Sequence, residues 1–350
     1  MQSDKSKDKA RNRAIEALKN HTLPVDINYY LSGLKDGNRT ILANAISLVE
    51  STHPDHRQLA HQLVNKSLGL QKKSIRIGIT GVPGVGKSTF IEAFGNYLTG
   101  LGLKLAILAI DPSSPISKGS ILGDKTRMDE LSKNPNAFIR PSPTSSIPGG
   151  VARNTRESII LCEAAGYDLV IVETVGVGQS ETAVHDMTDM FILLMLAGAG
   201  DQLQGIKRGI MEMADLILIT KADSGNEKAA THACAEYVSA LHLFPPKEHG
   251  LNSKVGIVSS MSKMGIDKAW INVQEFINWM KERGLFEKRR QDQLLSWMHQ
   301  SIDQSLLSRF YDNPNILGEL NKLKADVLAS KISPFEAAEQ LVRKLDSMQH

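Results

Sequence analysis

Gly81-Val82-Pro83-Gly84-Val85-Gly86-Lys87-Ser88 is the stretch of this 350-residue chain that decides the fold. It fits the pattern G-x-x-x-x-G-K-[ST], in which glycines let the backbone fold around a phosphate so that its N–H groups point inward. An apolar run from Ile75 to Thr80 precedes it and predicts a buried strand, and apolar residues follow it at helical spacing from Phe90 to Leu98. A phosphate-binding loop requires strand, loop and helix in that order, so we interpret the stretch as one.

The positions of this loop have distinct expected roles. The following helix adds the positive end of its dipole to the backbone N–H groups. Lys87 would reach the β- and γ-phosphates and act in catalysis, and Ser88 would hold Mg²⁺. Nucleotide binding is therefore predicted for Gly81, Val82, Pro83, Gly84, Val85, Gly86, Lys87, Ser88 and Thr89.

Seven short apolar runs predict strands, and helical patterns separate them. The runs are Ile75–Thr80, Lys104–Ile110, Ala137–Arg140, Leu169–Glu173, Met190–Leu196, Leu216–Thr220 and Lys254–Val258. Because they are almost continuously apolar, the strands should be covered on both faces, which predicts an α/β fold with a mostly parallel, doubly wound sheet. Ligands of such sheets bind at the carboxyl ends of the strands.

The chain outside these strands has helical patterns only. We predict an N-terminal helical segment over residues 1–72, with the first dozen residues disordered, and a nucleotide-binding domain over residues 73–264. A C-terminal helical region over residues 265–350 should supply a dimer interface. Within it, Ser333-Pro334-Phe335-Glu336 predicts a helix start, with Ser at the cap, Pro at the first position and Glu at the third.

A second motif selects the base. Thr220-Lys221-Ala222-Asp223 resembles the guanine-specificity motif [N/T]-K-x-D and directly follows a predicted strand. Two aspartate oxygens can accept from guanine N1–H and the 2-amino group, a pair of donors that adenine lacks. The lysine stem can pack over the base. GTPases usually have Asn at the first position, so Thr220 departs from the pattern, whereas Asp223 keeps the discrimination.

Further residues are predicted around the base and the metal. Ser259, Ser260 and Met261 stand where GTPases often have a backbone contact to guanine O6. Glu173-Thr174-Val175-Gly176 resembles the metal-binding element D-x-x-G, with the longer Glu in place of Asp, which suggests a water-mediated or an altered metal contact. Asp111 and Asp124 add carboxylates at the same edge, and the sequence favours a helix cap for Asp124 about as strongly as a metal ligand. The predicted catalytic and metal groups thus include Glu173 and Asp111.

Bulk composition excludes several classes. The formal net charge of +3 is too small to indicate a nucleic-acid partner, and only 5% of residues are aromatic. Cys162 and Cys234 form neither a disulfide framework nor a metal spacing. The first 13 residues lack the apolar core of a secretory signal, and the most apolar run, 190–197, is too short to span a membrane. We expect a cytoplasmic protein with no membrane partner.

These motifs together make the resemblance to one family specific. The chain resembles the MeaB/ArgK family, GTPases of the signal-recognition/MinD-like class that act as chaperones of adenosylcobalamin-dependent acyl-CoA mutases. The resemblance is carried by Gly81–Thr89, Asp111–Ser114, Gly119–Met128, Phe138–Ser142, Glu173–Thr182 and Gly198–Lys207.

The resemblance implies a Mg²⁺-dependent GTPase with three switch segments and a homodimer. Asp111 to Arg127 matches switch I, Glu173 to about Ala183 matches switch II, and about Gly198 to Gly209 matches a third switch that signals to the mutase. Lys207 matches a lysine that helps hydrolysis once the partner is bound. The nucleotide state would gate cofactor loading or protection of a mutase of the methylmalonyl-CoA mutase type.

Three other functions remain open from the sequence. A phosphate loop also serves kinases, which the T-K-x-D motif and the lack of an acceptor pocket disfavour. A metal-insertion GTPase would be expected to have Cys- or His-rich clusters, whereas the ten histidines here are scattered. A nucleotide-gated binding module would bind GTP without hydrolysing it.

Overall fold

The structure is a computed structural model that describes residues 26–51, 53–110, 128–141, 150–174, 180–197 and 208–347. The chain divides into two compact units, with the boundary between Glu287 and Lys288. The expectation of disorder for the first dozen residues lies outside the described residues.

The first unit contains a seven-stranded sheet in which every pair of neighbouring strands is parallel. The strands are β1 Ile75–Gly81, β2 Leu105–Ile110, β3 Ala137–Pro141, β4 Leu169–Thr174, β5 Met190–Leu196, β6 Leu216–Thr220 and β7 Lys254–Ile257. Their order across the sheet is β3-β2-β4-β1-β5-β6-β7. All seven predicted strands are present, and the predicted α/β fold with a parallel sheet is confirmed.

The register brings the important strand ends together at one edge. β1 lies in the middle of the sheet, where Ile79 pairs with Glu173 of β4 and Gly81 pairs with Leu194 of β5. Leu196 of β5 in turn pairs with Thr220 of β6. The phosphate loop, Glu173 and the guanine motif therefore leave the sheet on the same side.

Thirteen α-helices are described. In the first unit they are α1 Ile27–Lys35, α2 Arg39–Glu50, α3 Pro54–Ser67, α4 Lys87–Gly100, α5 Asp129–Lys133, α6 Gly150–Ala164, α7 Ser180–His185, α8 Arg208–Met213, α9 Glu227–Leu241 and α10 Ile266–Glu282. A short 3₁₀ helix, Leu68–Leu70, follows α3. Asn38 caps α2, because its side-chain oxygen accepts from the N–H groups of Thr40 and Ile41.

A buried ion pair ties β1 to α6. The guanidinium of Arg76 donates to both carboxylate oxygens of Glu163 at 2.7 and 2.8 Å, and both side chains are almost fully buried. The Ser74 hydroxyl and the Gln71 amide also donate to this carboxylate. The segment that leads from the N-terminal helices into β1 is thereby fixed to the helix layer.

Helix α10 belongs to the first unit. Its apolar stripe, including Trp270 and Phe276, is buried, and the Trp270 ring meets the ring of Phe94 on α4 at 6.4 Å between centroids. The sequence placed a domain boundary before α10, at residue 265, whereas the compact units meet after it. The reason is that this stripe packs on the sheet domain. The three-part division itself stays a prediction.

The second unit, residues 288–350, is helical where described. It contains most of α11 Leu285–Tyr311, together with α12 Pro314–Leu328 and α13 Pro334–Ser347. Ile316, Leu323, Ala337 and Leu341 form its small core. The predicted start of α13 is confirmed, because the Ser333 hydroxyl accepts the N–H of Glu336 at 3.1 Å.

Candidate nucleotide-binding site

The phosphate loop has the backbone that its glycines predict. Gly84 and Gly86 adopt positive φ angles of 77° and 90°, a region that side-chain-bearing residues rarely enter. Gly86 also forms the N-cap of α4, and as a glycine it has no side chain with which to cap the first N–H groups of the helix. A Cβ on Gly81 would lie 2.6 Å from the carbonyl oxygen of Leu194, so only glycine fits where the loop leaves the sheet. The arrangement suits an anion at the start of α4.

Lys87 points back into the loop. Its ammonium donates to the carbonyl of Gly81 at 2.8 Å, so it spans the loop from the first helical residue to the end of β1. Burial lowers the pKa of Lys87, while the carboxylates of Glu173 and Glu181 act in the opposite direction. A partly desolvated cation of this kind is well placed to exchange a neutral carbonyl partner for charged phosphate oxygens.

Two of the predicted metal residues lie together. The Ser88 hydroxyl lies 3.5 Å from Oε1 of Glu173, whose side chain is buried at the end of β4. Next to it, the hydroxyls of Thr174 and Thr80 share a hydrogen bond of 2.7 Å between β4 and β1. Asp111, Asp124 and Lys207 lie outside the described residues, so their predicted roles stay predictions.

The guanine motif is joined directly to the phosphate loop. The hydroxyl of Thr220 is buried and lies 2.8 Å from the carbonyl oxygen of Val85, inside the loop, and 3.2 Å from that of Met195 on β5. Lys221 has a positive φ of 57°, which is uncommon for a residue with a side chain. Its Cε lies 3.8 Å from the Cβ position of Gly86, so its stem lies against the loop.

Asp223 is held by the loop that follows β7. Ser259 donates a short hydrogen bond from its hydroxyl to Oδ2 of Asp223, and the N–H of Ser262 donates to the same hydroxyl at 3.1 Å. Ser259 is fully buried, whereas Met261 is 80% exposed. The predicted residues Ser259 and Asp223 are thus brought together, whereas Met261 is mostly exposed to solvent.

Two residues near the site were not predicted. Glu181, in the first turn of α7, is buried and its charge acts on Lys87. Asn226 donates from its side-chain amide to the carbonyl of Lys221 at 3.0 Å and so supports the unusual backbone there. The sequence signal for Glu181 was a carboxylate just after the D-x-x-G-like element. Asn226 had no signal, because turn asparagines are common.

A phosphate loop at the end of the central parallel strand β1, joined by a hydrogen bond to a T-K-x-D motif at the end of β6 in the same sheet, defines a P-loop nucleotide-binding protein. Residues 42–315 match the model of a family described as methylmalonyl Co-A mutase-associated GTPase MeaB. The chain belongs to this family, and it is a GTPase.

Curated relatives agree with this assignment. The chain is 46% identical over 346 residues to the mouse (Mus musculus) methylmalonic aciduria type A homolog, mitochondrial, covering 94% of this chain and 83% of the relative. It is 45% identical over 308 residues to GTPase ArgK of Escherichia coli, covering 88% and 93%. A solved structure described as LAO/AO transport system kinase is 38% identical with a TM-score of 0.73, covering 91% of this chain and 97% of that one.

Proposed function

We propose that this GTPase depends on Mg²⁺ and gates cofactor loading or protection of an adenosylcobalamin-dependent acyl-CoA mutase of the methylmalonyl-CoA mutase type. The observation that carries the proposal is the joining of the phosphate loop to the guanine motif through Thr220 and Val85. The family description, which names that mutase, supports the choice of partner. The corrinoid would belong to the mutase, since the chain has no cobalamin-binding D-x-H-x-x-G pattern.

The oxygen atoms near the phosphate loop fit Mg²⁺. Mg²⁺ prefers oxygen ligands and keeps several waters, so it is usually bound by one or two protein groups and the phosphates. The Ser88 hydroxyl and the Glu173 carboxylate, 3.5 Å apart, suit such a site. Within the described residues, no three His, Cys, Asp or Glu side chains come together as a fuller metal-binding group. When bound, the ion would neutralise charge on the phosphates.

Lys87 would contribute to hydrolysis by electrostatics. On nucleotide binding its ammonium would leave the Gly81 carbonyl for the β- and γ-phosphate oxygens, where negative charge is spread in the transition state. Lys207 would add a second cation in the partner complex, as the family resemblance implies. If Lys87 acts in the protein alone and Lys207 acts only in the partner complex, hydrolysis should be slow for the protein alone and faster with the mutase. The γ-phosphate would order the switch segments, and its loss would release them.

Helix α11 supports a proposed homodimer. Leu294, Met298, Ile302 and Leu306 recur every four residues along it and are 47 to 57% exposed. A stripe of half-exposed apolar side chains on a long helix suits a second helix of the same kind. A two-fold interface would place the same stripe on both partners.

We also propose a cytoplasmic location. Both cysteines, Cys162 and Cys234, are free thiols, which suits a reducing compartment. In the described part of the chain, no helix has the length and apolar character needed to cross a bilayer.

The test is GTP hydrolysis with and without a purified adenosylcobalamin-dependent acyl-CoA mutase. We expect the mutase to accelerate turnover of GTP, and we expect Lys207→Ala to lose that acceleration while keeping GTP binding. Lys66→Ala, at an exposed lysine on α3, is the matched control. Turnover that is unchanged by the mutase would contradict the proposed partner, and equal turnover of ATP would contradict the role of Asp223.

A kinase is the second candidate, because the solved relative is described as one. The same phosphate loop could pass the γ-phosphate to a hydroxyl or guanidino group rather than to water. Release of inorganic phosphate in proportion to GTP consumed would favour hydrolysis. A phosphorylated small molecule or protein would favour the kinase.

A further inference from the structure

We infer, on the basis of the guanine site proposed above, that this protein reads guanine through N1–H and the 2-amino group and leaves N7 unread. Thr220 is the residue responsible. It occupies the first position of the guanine motif, and it uses its only polar hydrogen to hold the phosphate loop. This residue is therefore a positioning residue for the loop and has no hydrogen left for the base.

The hydrogen-bond inventory of Thr220 carries the first step. A hydroxyl has one hydrogen to donate. That hydrogen faces two carbonyl acceptors, Val85 at 2.8 Å and Met195 at 3.2 Å. Thr220, Val85 and Met195 are all buried. Turning the hydroxyl toward a base would leave buried carbonyl oxygens without this donor, which is unfavourable.

Within the described residues, two side chains near Thr220 that have donors, those of Asn226 and Lys221, already contact the chain itself. Guanine N7 is an acceptor, so it can be read only by a donor in the plane of the ring. The side-chain amide of Asn226 uses one of its two hydrogens to donate to the carbonyl of Lys221 at 3.0 Å. The stem of Lys221 lies along the loop, with Cε 3.8 Å from the Cβ position of Gly86. A stem stacked on the face of a base cannot also donate in the plane of its edge.

The carboxylate of Asp223, by contrast, is positioned to accept from the opposite edge of the base, which has N1–H and the 2-amino group. A carboxylate offers about four lone-pair sites. Ser259 occupies one of them on Oδ2, and Ser262 fixes Ser259 through its N–H. The backbone carbonyl of Asp223 accepts from the N–H of Asn226 at 3.0 Å, which further fixes the residue. Recognition of N1–H and the 2-amino group should therefore depend on Asp223.

The experiment compares three diphosphates by calorimetry with the full chain and Mg²⁺, so that turnover does not consume the ligand. 7-Deaza-GDP replaces N7 by a C–H group, and IDP lacks the 2-amino group. We expect GDP and 7-deaza-GDP to bind within about twofold of each other. IDP should bind about 10-fold more weakly or worse, because it loses a hydrogen bond to a charged group.

Variants of Thr220 separate the loop contact from the base. Thr220→Val removes the hydroxyl at nearly constant volume and should weaken GDP and 7-deaza-GDP by the same factor, within about twofold. Thr220→Ser restores the hydroxyl and should restore the affinity for both. Thr220→Asn supplies two amide hydrogens, one for Val85 and one for the base, and should newly favour GDP over 7-deaza-GDP.

Two results would overturn the inference. One is a wild-type protein that binds 7-deaza-GDP at least about 10-fold more weakly than GDP. The other is a Thr220→Val variant that loses affinity for GDP alone, since the hydroxyl would then have contacted N7. The wild-type comparison decides the matter even if the valine variant does not fold. Failure of the guanine site itself is distinguishable, because GDP would then bind no better than ADP.

Discussion

Gly78→Ala should destabilise the sheet domain through the close approach of α7 to the central strand. Gly78 lies in the middle of β1 and has an ordinary φ. A Cβ there would lie 2.7 Å from Phe191, 2.8 Å from Val184 and 2.9 Å from Thr188. All three neighbours are fully buried. None can move away without disturbing the packing around it.

Two opposing effects determine how much Gly78→Ala changes the free energy of unfolding. Overpacking of a well-packed core by one carbon costs about 1–3 kcal/mol. The lower backbone entropy of alanine in the unfolded chain raises the free energy of unfolding by about 0.4–1 kcal/mol. We therefore expect a net loss of about 1–2 kcal/mol in the free energy of unfolding. Val184 belongs to α7, which follows the D-x-x-G-like element, so GTP turnover should fall as well.

Urea unfolding followed by circular dichroism measures the effect. The midpoint should fall while the slope with urea concentration stays unchanged. Gly100→Ala is the matched control, because a Cβ on that glycine, at the end of α4, meets nothing within 4 Å. A Gly78→Ala midpoint equal to that of Gly100→Ala would refute the packing argument.

Three more results are expected. Glu163→Gln should lower the free energy of unfolding in urea by about 3–5 kcal/mol, because it leaves the buried Arg76 without its ion pair. Glu339→Gln, at an exposed ion pair, should lower it by less than about 1 kcal/mol. Equal losses in the two variants would contradict this reasoning. Asp223→Asn should make xanthosine diphosphate (XDP) the preferred ligand instead of GDP, since a carboxylate oxygen that accepts is replaced by an amide nitrogen that donates. Unchanged affinity for GDP in calorimetry would argue against the motif. Chelation of Mg²⁺ by EDTA should stop GTP turnover, and turnover that continues would exclude the proposed metal.

Much of the sheet domain could be predicted from the sequence. The apolar runs were long enough and continuous enough to define all seven strands within two residues. The phosphate loop could be placed because its chemistry needs glycines at fixed positions between a strand and a helix. Ser88 and Glu173 were predicted to share a metal and lie 3.5 Å apart.

Other features depend on contacts between distant residues. The strand order cannot be derived from separate strands, because each is apolar on both faces and could pair on either side. Helix α10 was assigned to the C-terminal region, since a helical stripe shows that a face is buried but not what covers it. The hydrogen bond from Thr220 to Val85 spans 135 residues of sequence. From the motif alone, Thr220 was only a departure from asparagine.

The most direct test of the proposed gating is the affinity of the mutase for this protein in two nucleotide states. Binding would be measured by biolayer interferometry with GDP and with a non-hydrolysable GTP analogue, with Lys66→Ala as a surface control. A gate requires different affinities in the two states, and a coupling of 1–3 kcal/mol corresponds to about 5- to 150-fold. We predict a difference in that range, abolished when Asp223→Asn prevents guanine binding. Equal affinity in both states, or no binding in either, would contradict the gating of a mutase by this GTPase.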